Sequence, residues 1–424
     1  MRSIKTVALV AATLLLVPQL AAAADLDTEV QEMKNRLEQM ETQLKAQDQE
    51  LAAAKEDRTA TSALSSFLEK TDISGFVAGG WSWGKGENAA GTTTFDGNSF
   101  EVQQYWIEMN KAPTEESRAG FNIALQGGSF CTVGGCGSRL GLQDPNDLLG
   151  NGAYAAFIGS GGNTNAVHLY TANVSYMAPI GSGLTVTAGI MPTLLGYEVE
   201  NQNGNFFITR SILWDNQPVT STGVTVGYNI TDQLSLTVGA INSPINDDRF
   251  DDASPKALTS LLSFSAEKFG LSAGVNWGKI GNNAAANGAA LCSPLLPACD
   301  SQGLFDLIAT VNPIDKLLIG ANYNYHFTTD ANDNDGLSAN GISVFSTFQV
   351  IESTGIGVRY DWLGVDDANG DRALSQWEIT ATVAHKITDG LTGKVEYRYD
   401  QSDDASGDEV LNSNQVLVQM MYEF

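Results

Sequence analysis

Basic residues, histidines, cysteines and long apolar runs are all scarce in this chain, and each shortage removes a class of function. Lys and Arg number 23 against 49 Asp and Glu, a net charge of −26 over 424 residues. Such an excess of acid argues against nucleic acid or anionic lipid as a partner. The three histidines, His168, His326 and His385, lie far apart. No HExxH, GxSxG or GxxxxGK[ST] motif accompanies them, so no catalytic residue is assigned and an enzyme is not expected. His385 reads as an interfacial histidine near a turn rather than as part of a lipase-like outer-wall site. The four cysteines form two close pairs, Cys131/Cys136 and Cys292/Cys299, in loops rich in Gly or Pro. No His lies near either pair and CxxCH is absent, so a shared metal site is disfavoured, covalent haem is excluded and no cofactor is expected. Local disulfides suit an exported chain in an oxidising compartment.

Apolar runs are confined to the start. Residues 1–24 read as a secretory signal: Arg2 and Lys5, then VALVAATLLLV, then the alanines at 21–24. No later run approaches the roughly 18 apolar residues of a membrane helix. An exported protein of this kind is either soluble or a barrel. The low charged fraction, 17%, and the 43 glycines suit strands and loops more than helices.

Residues 25–56 follow a different pattern. Leu26, Val30, Met33, Leu37, Met40, Leu44, Gln47, Leu51 and Ala54 alternate by four and three, among positions that are almost all polar or Ala. This is a coiled-coil heptad with one polar core position, Gln47. A seam so narrow needs partner helices, and the helix would reach roughly 48 Å at 1.5 Å per residue. Residues 57–70 serve as a linker.

From residue 71 to 424 one unit recurs: a tight turn, an alternating strand, a long polar loop, a strand back. The turns are APTEES (112–117), PIGSG (179–183), ITDQ (230–233), EKFG (267–270), NPIDK (312–316), IEST (351–354) and ITDG (387–390). The long loops are expected at 84–97, 131–164, 193–218, 244–256, 281–302, 328–339, 364–373 and 401–412. Seven turns and eight loops join about sixteen strands. Strict alternation of short and long connections, with an even strand number, is the habit of outer-membrane β-barrels. A soluble sandwich has no reason to sort its loops this way. The expected fold is therefore an all-β transmembrane antiparallel up-and-down barrel, with both ends of the barrel and the coiled coil in the periplasm. The faces agree. Leu391, Val395, Tyr397 and Tyr399 oppose Thr392, Lys394, Glu396, Arg398 and Asp400. In the last strand Val416, Val418, Met420, Tyr422 and Phe424 alternate with Gln415, Gln419 and Glu423, which are expected to face inward. Trp81, Trp83, Tyr176, Trp277, Tyr325, Phe327 and Trp362 fit interfacial girdles.

Two loops stand out. DANGDRALSQWE (367–378) places Asp367, Asn369, Asp371, Ser375 and Glu378 at EF-hand spacings, but Arg372 replaces the required glycine and no flanking helix follows. It reads as an acidic external hairpin, and no metal is assigned. The third long loop, 193–218, carries Phe206, Phe207, Ile208, Ile212, Leu213 and Trp214 among charges, too much apolar surface to leave in water. It is expected to fold into the lumen or to pack on a neighbouring subunit. Glu198, Arg210 and Asp215 are the constriction candidates, facing Arg359, Asp361, Glu378, Lys394, Glu396 and Arg398 on the wall. Crossed acids and bases of this kind filter solutes by charge and size.

The segments ISGFVAGGW, IEMNKAPTEESRAGFNIALQGG, LYTANVSYMAPIGSGLTVTAGIMPTLLGYE, TRSILWDNQPVTSTGVTVGY and EITATVAHKITDGLTGKVEYRYDQS resemble the OmpL-like β-barrel porins, across residues 72–401. The resemblance implies a bacterial outer-membrane porin for small solutes and carries no catalytic residues. The heptad segment is similar to that of some trimeric phosphate-type porins, which implies a homotrimer. Those use rows of lumen bases, which this chain lacks, so phosphate selectivity is not expected. The expected function is passive diffusion of small hydrophilic solutes or ions with weak cation preference, in contact with outer-membrane lipid. Two other readings stay open: an anchor gripping the cell wall or a periplasmic partner through the coiled coil, and a barrel sheath for an electron-transfer conduit.

Overall fold

The computed structural model describes residues 34–45, 70–88, 93–129, 167–244, 256–279, 299–330 and 334–424, with the backbone alone at 87–88, 93–97, Asp215, Cys299 and Asp300. Cys131, Cys136 and Cys292, and hence both expected disulfides, lie outside the described residues. The chain divides into two compact units, Met1–Lys70 and Thr71–Phe424. In the first, helix α1 spans 34–45. Leu37, Met40 and Leu44 share one face of it and are 57, 58 and 63% exposed. Leu26, Val30, Met33, Gln47, Leu51 and Ala54, the other heptad core positions, lie outside the described residues.

The second unit is a closed barrel of sixteen antiparallel strands, each paired with its neighbours in sequence and β1 with β16. In chain order they are β1 Asp72–Asn88, β2 Thr93–Lys111, β3 Ala119–Gly127, β4 His168–Ala178, β5 Leu184–Pro192, β6 Thr220–Asn229, β7 Leu234–Ile241 and β8 Ala257–Ala266. They continue as β9 Phe269–Lys279, β10 Cys299–Ile314, β11 Leu317–Asp330, β12 Asp335–Ile351, β13 Thr354–Asp366, β14 Arg372–Thr388, β15 Leu391–Asp404 and β16 Glu409–Glu423. All seven expected tight turns are present. Up-and-down connectivity gathers them, with both ends of the barrel, at one rim, here the turn end. The opposite rim is the loop end.

Closure is made by the register Phe76↔Glu423 through Asn88↔Leu411, extended by backbone hydrogen bonds in both directions between Gly75 and Phe424. No strand edge is left unpaired, as a wall without water requires. In β16, Val418, Met420, Tyr422 and Phe424 are exposed on the outer face, whereas Gln415, Leu417, Gln419 and Met421 are buried inside. Tyr360, Trp377 and Tyr399 form a row of ring contacts across three outer strands, with centroids 6.5 and 5.3 Å apart. The inner wall is not polar throughout. Phe76, Ala78, Trp106, Ala124, Tyr170 and Met421 form a buried apolar cluster inside β1–β4 and β16.

Four of the long loops expected at the loop end are instead largely strand: β1 and β2 run on through most of 84–97, with four residues between them, and three further pairs behave alike. β11 and β12, β13 and β14, and β15 and β16 run on through 328–339, 364–373 and 401–412, leaving connections of four or five residues. At two of these connections the cause is one recurring turn: Asp367-Ala-Asn-Gly-Asp371 and Asp404-Ala-Ser-Gly-Asp408. The first Asp Oδ1 accepts the N–H groups two and four residues on, at 2.8 and 3.0 Å for Asp367 and 2.8 and 3.1 Å for Asp404. Gly370 and Gly407 take φ of 83° and 80°, which L side chains rarely adopt. The N–H groups of Asp371 and Asn369 hold the Asp367 carboxyl below the usual aspartate range. Glu378, the last position of the EF-like pattern, is turned into the barrel, so 367–378 is a hairpin.

Candidate functional site

The segment 193–219, between β5 and β6, has no strand partner for most of its length. Its backbone donors must be met some other way, because a buried unpaired N–H is costly. Two short 3-10 turns, Gln202–Gly204 and Ile212–Asn216, meet a few. Inward-facing side chains of the barrel wall meet much of the rest. Glu396 of β15 accepts the N–H groups of Ile208 and Thr209 at 2.6 and 2.8 Å. Asp361 of β13 accepts that of Ile212 at 3.1 Å, and Asp306 of β10 that of Gly196 at 3.1 Å. Gln104 of β2 accepts from Gln202, and Asn322 of β11 from Tyr197.

The carbonyls of the segment are met by bases. Arg359 of β13 donates Nη1 to Thr209 O and Nη2 to Arg210 O, both at 2.9 Å. Arg398 of β15 also donates to Arg210 O, and Lys394 to Asn205 O at 2.7 Å. The same guanidiniums are neutralised by acids. Arg359 lies 2.9 Å from Glu198, 3.2 Å from Asp361 and 2.7 Å from Glu378, and Arg398 lies 2.5 Å from Asp400. Arg359 also sits over the Phe207 ring and Arg210 over that of Trp214.

Wall glycines receive the apolar side chains. A Cβ at Gly357 would stand 2.5 Å from Phe206, and one at Gly341 3.0 Å from Leu213, while one at Gly274 would clash with Leu195. The absence of a side chain at these positions is a matter of room, not of backbone conformation. The contacts of the segment therefore fall on the inner faces of β2, β3 and β9–β16. At its deepest point Asn203 donates to Glu423, one residue from the chain end, at 3.3 Å. The segment thus runs inside the barrel through most of its depth.

Opposite these contacts a cavity of about 640 Å³ is bounded by β2–β7 and by Thr193, Leu194, Val199 and Asn201 of the segment. Its wall presents Asn122, Thr171, Asn173, Thr185, Thr187, Thr225 and Thr237, and Glu108 is the one charged group among its described lining residues.

Of the expected site residues, Glu198, Arg210, Arg359, Asp361, Glu378, Lys394, Glu396 and Arg398 are brought into one buried network. None of them lines the 640 Å³ cavity. The side chain of Asp215 lies outside the described residues. Sequence reasoning missed Glu200, Asp306 and the amides Gln104 and Gln126, all buried inside, and placed Asp400 and Gln419 on the inward face without assigning them to the site. It also missed Glu108. Parity marks the strand residues among them as inward-facing, whereas Glu200 belongs to the segment itself, and nothing in the sequence marks which wall residues meet it. Buried His326 contacts Asn216 and exposed His385 contacts Thr354, so the two histidines serve separate elements.

Comparison with known proteins decides the family. Residues 70–424 match the family described as "Putative beta-barrel porin-2, OmpL-like". The chain belongs to this family. The match covers the whole barrel unit, so this is an outer-membrane porin, a channel fold in the bacterial outer membrane. No curated protein matches the porin. Among solved structures it is similar to the outer membrane channel DcaP of Acinetobacter baumannii, at 13% identity and a TM-score of 0.55, over 84% of this chain and 97% of that one. It is similar also to in-vitro folded OmpT of Vibrio cholerae in trimer form, at 13% and 0.51, over 84% and 99%. A third is an anion-selective porin from Comamonas acidovorans, at 10% and 0.52, over 84% and 100%. At such identities the likeness is one of fold, and the charge preference of this porin has to be read from its own lumen.

Proposed function

We propose that the porin lets small hydrophilic solutes and ions diffuse passively between the seated 193–219 segment and the β2–β7 wall, with a weak preference for cations. The segment is the constriction, and it displaces the path to one side of the barrel. One observation carries the charge preference: every buried Arg and Lys among the described residues is already hydrogen-bonded within the protein. Arg359 and Arg398 hold acids and segment carbonyls, Lys394 holds Asn205 O, and Arg210 holds Glu200 O at 2.6 Å. Among the described residues the buried inner charges number seven acids, Glu198, Glu200, Asp306, Asp361, Glu378, Glu396 and Asp400, against those four bases. A narrow low-dielectric passage with net acid raises local cation concentration. Reversal potentials in planar bilayers under a potassium chloride gradient test this, and clear anion preference overturns it.

The heptad segment 25–56 is the trimerising element of this reading, placed in the periplasm. The open stripe of Leu37, Met40 and Leu44 supports it, as does the trimer form of OmpT. Mass measurement of the detergent-solubilised chain with and without 25–56 tests it.

A further inference from the structure

The geometry points to a site in the 640 Å³ cavity for polyhydroxy solutes bearing an amino group, such as amino sugars, with Glu108 as the residue that takes the ammonium. This rests on the porin reading and names its preferred solute class. Glu108 lies on β2 between the outward-facing Ile107 and Met109, and its carboxylate is held by two donors. Trp106 Nε1 donates to Oε2 at 3.1 Å, and Asn122 Nδ2 donates to Oε1 at 2.5 Å. Asn122 is fixed in turn by the Thr171 hydroxyl, which donates to its Oδ1 at 2.5 Å. The group is therefore oriented, half-buried, and without a cationic partner among the described residues. A carboxylate has about four acceptor positions, and the two donors leave the rest open. A partly desolvated acid without its cation is electrostatically incomplete.

The remainder of the wall suits the uncharged body of such a solute. Thr185, Thr187 and Thr237 line the cavity with hydroxyls that make no hydrogen bond among the described residues. Hydroxyls that both donate and accept replace the hydration of a sugar without preferring either charge. The cavity is within the size range of small-molecule sites. An anionic sugar would meet Glu108 with no base among the described lining residues to offset it.

The test uses three solutes of like size, glucosamine, glucose and glucuronate, as labelled uptake into proteoliposomes of the full chain in one potassium chloride buffer. Uptake is expected in that order, with glucosamine at least about threefold above glucuronate. Glu108→Gln should bring glucosamine down to the glucose rate and leave glucose unchanged, which also reports an intact barrel. Thr187→Val with Thr237→Val should slow glucosamine and glucose alike, with an unchanged circular-dichroism spectrum reporting the intact barrel. Glucose uptake without the ranking, or a ranking that survives Glu108→Gln, overturns the site and leaves the porin reading standing. Sugar rates indifferent to the threonine changes overturn the hydroxyl half of it. Failure of all three solutes to enter overturns the porin reading itself.

Discussion

Replacing Arg359 with Met keeps much of the side-chain volume and removes the charge at the centre of the network. The wild-type guanidinium makes hydrogen bonds to Glu198, Thr209 O, Thr209 Oγ1, Arg210 O and Glu378, and is 2% exposed. Of the three carboxylates within 3.2 Å, Glu198 and Asp361 lose their cation, while Glu378 keeps Arg398 at 3.4 Å. Breaking a buried pair on one side costs about 3–5 kcal/mol, because an uncompensated charge remains. At about 1.4 kcal/mol per power of ten, the seated form of the segment loses two to three and a half powers of ten against a detached form. Glu396 still holds Ile208 and Thr209, so release is intermittent rather than complete. Single-channel recordings should then show added higher-conductance levels and more noise than wild type, and the unfolding midpoint should fall. Arg359→Lys should lie between, since an ammonium restores charge but not the planar fork of donors. A variant with wild-type conductance, one current level and an unchanged midpoint would refute the idea that Arg359 seats the segment.

Other perturbations separate the parts of this arrangement. Gly357→Ala puts a Cβ 2.5 Å from Phe206, and overpacking of this kind costs about 1–3 kcal/mol, read as a lower unfolding midpoint with an unchanged reversal potential. Glu396→Gln keeps one acceptor for two backbone donors, and its loss of about 1–3 kcal/mol should be smaller than that of Arg359→Met in the same unfolding series. Deleting 25–56 should leave barrel conductance intact while reducing the mass of the assembly. In the hairpin, a depressed Asp367 pKa means its support is present above the ordinary aspartate range and lost as pH falls through the depressed value. Amide exchange at Asn369 and Asp371 should therefore quicken on acidification in wild type and be fast at all pH in Asp367→Ala.

The barrel was legible because its signal is local. A period of two, repeated sixteen times between turns, fixes strand number, connectivity and the facing of residues such as Glu396 and Met420 without long-range information. Loop lengths were less so. Asp- and Gly-rich stretches such as 401–412 read as loop by composition, yet one carboxylate accepting two backbone N–H groups confines the turn to Asp404–Asp408 and lets strands fill the rest. The site was half legible. Inward parity and the greasy third loop identified eight of its charged members, but not their use. Ile208 and Glu396 are 188 residues apart, and no local pattern tells that a lumen acid will bind loop backbone rather than face solute. Glu108 was hidden for the opposite reason: it sits in an ordinary alternating strand, and only the packing around it leaves it without a base.

The seated segment also ties together two events in the biogenesis of the protein. Residues 193–219 precede in the chain most of the groups that hold them, from Asp306 through Arg359, Lys394, Glu396 and Arg398 to Gln419. A nascent sheet that has not yet received β13–β16 lacks the Gly357 socket of Phe206 and the Arg359, Lys394, Glu396 and Arg398 bolts. Sealing the seam between β1 and β16 and stowing the segment are thus one cooperative act. A chain stalled short of closure carries a loose, protease-accessible strap, by which an unfinished barrel differs from a finished one.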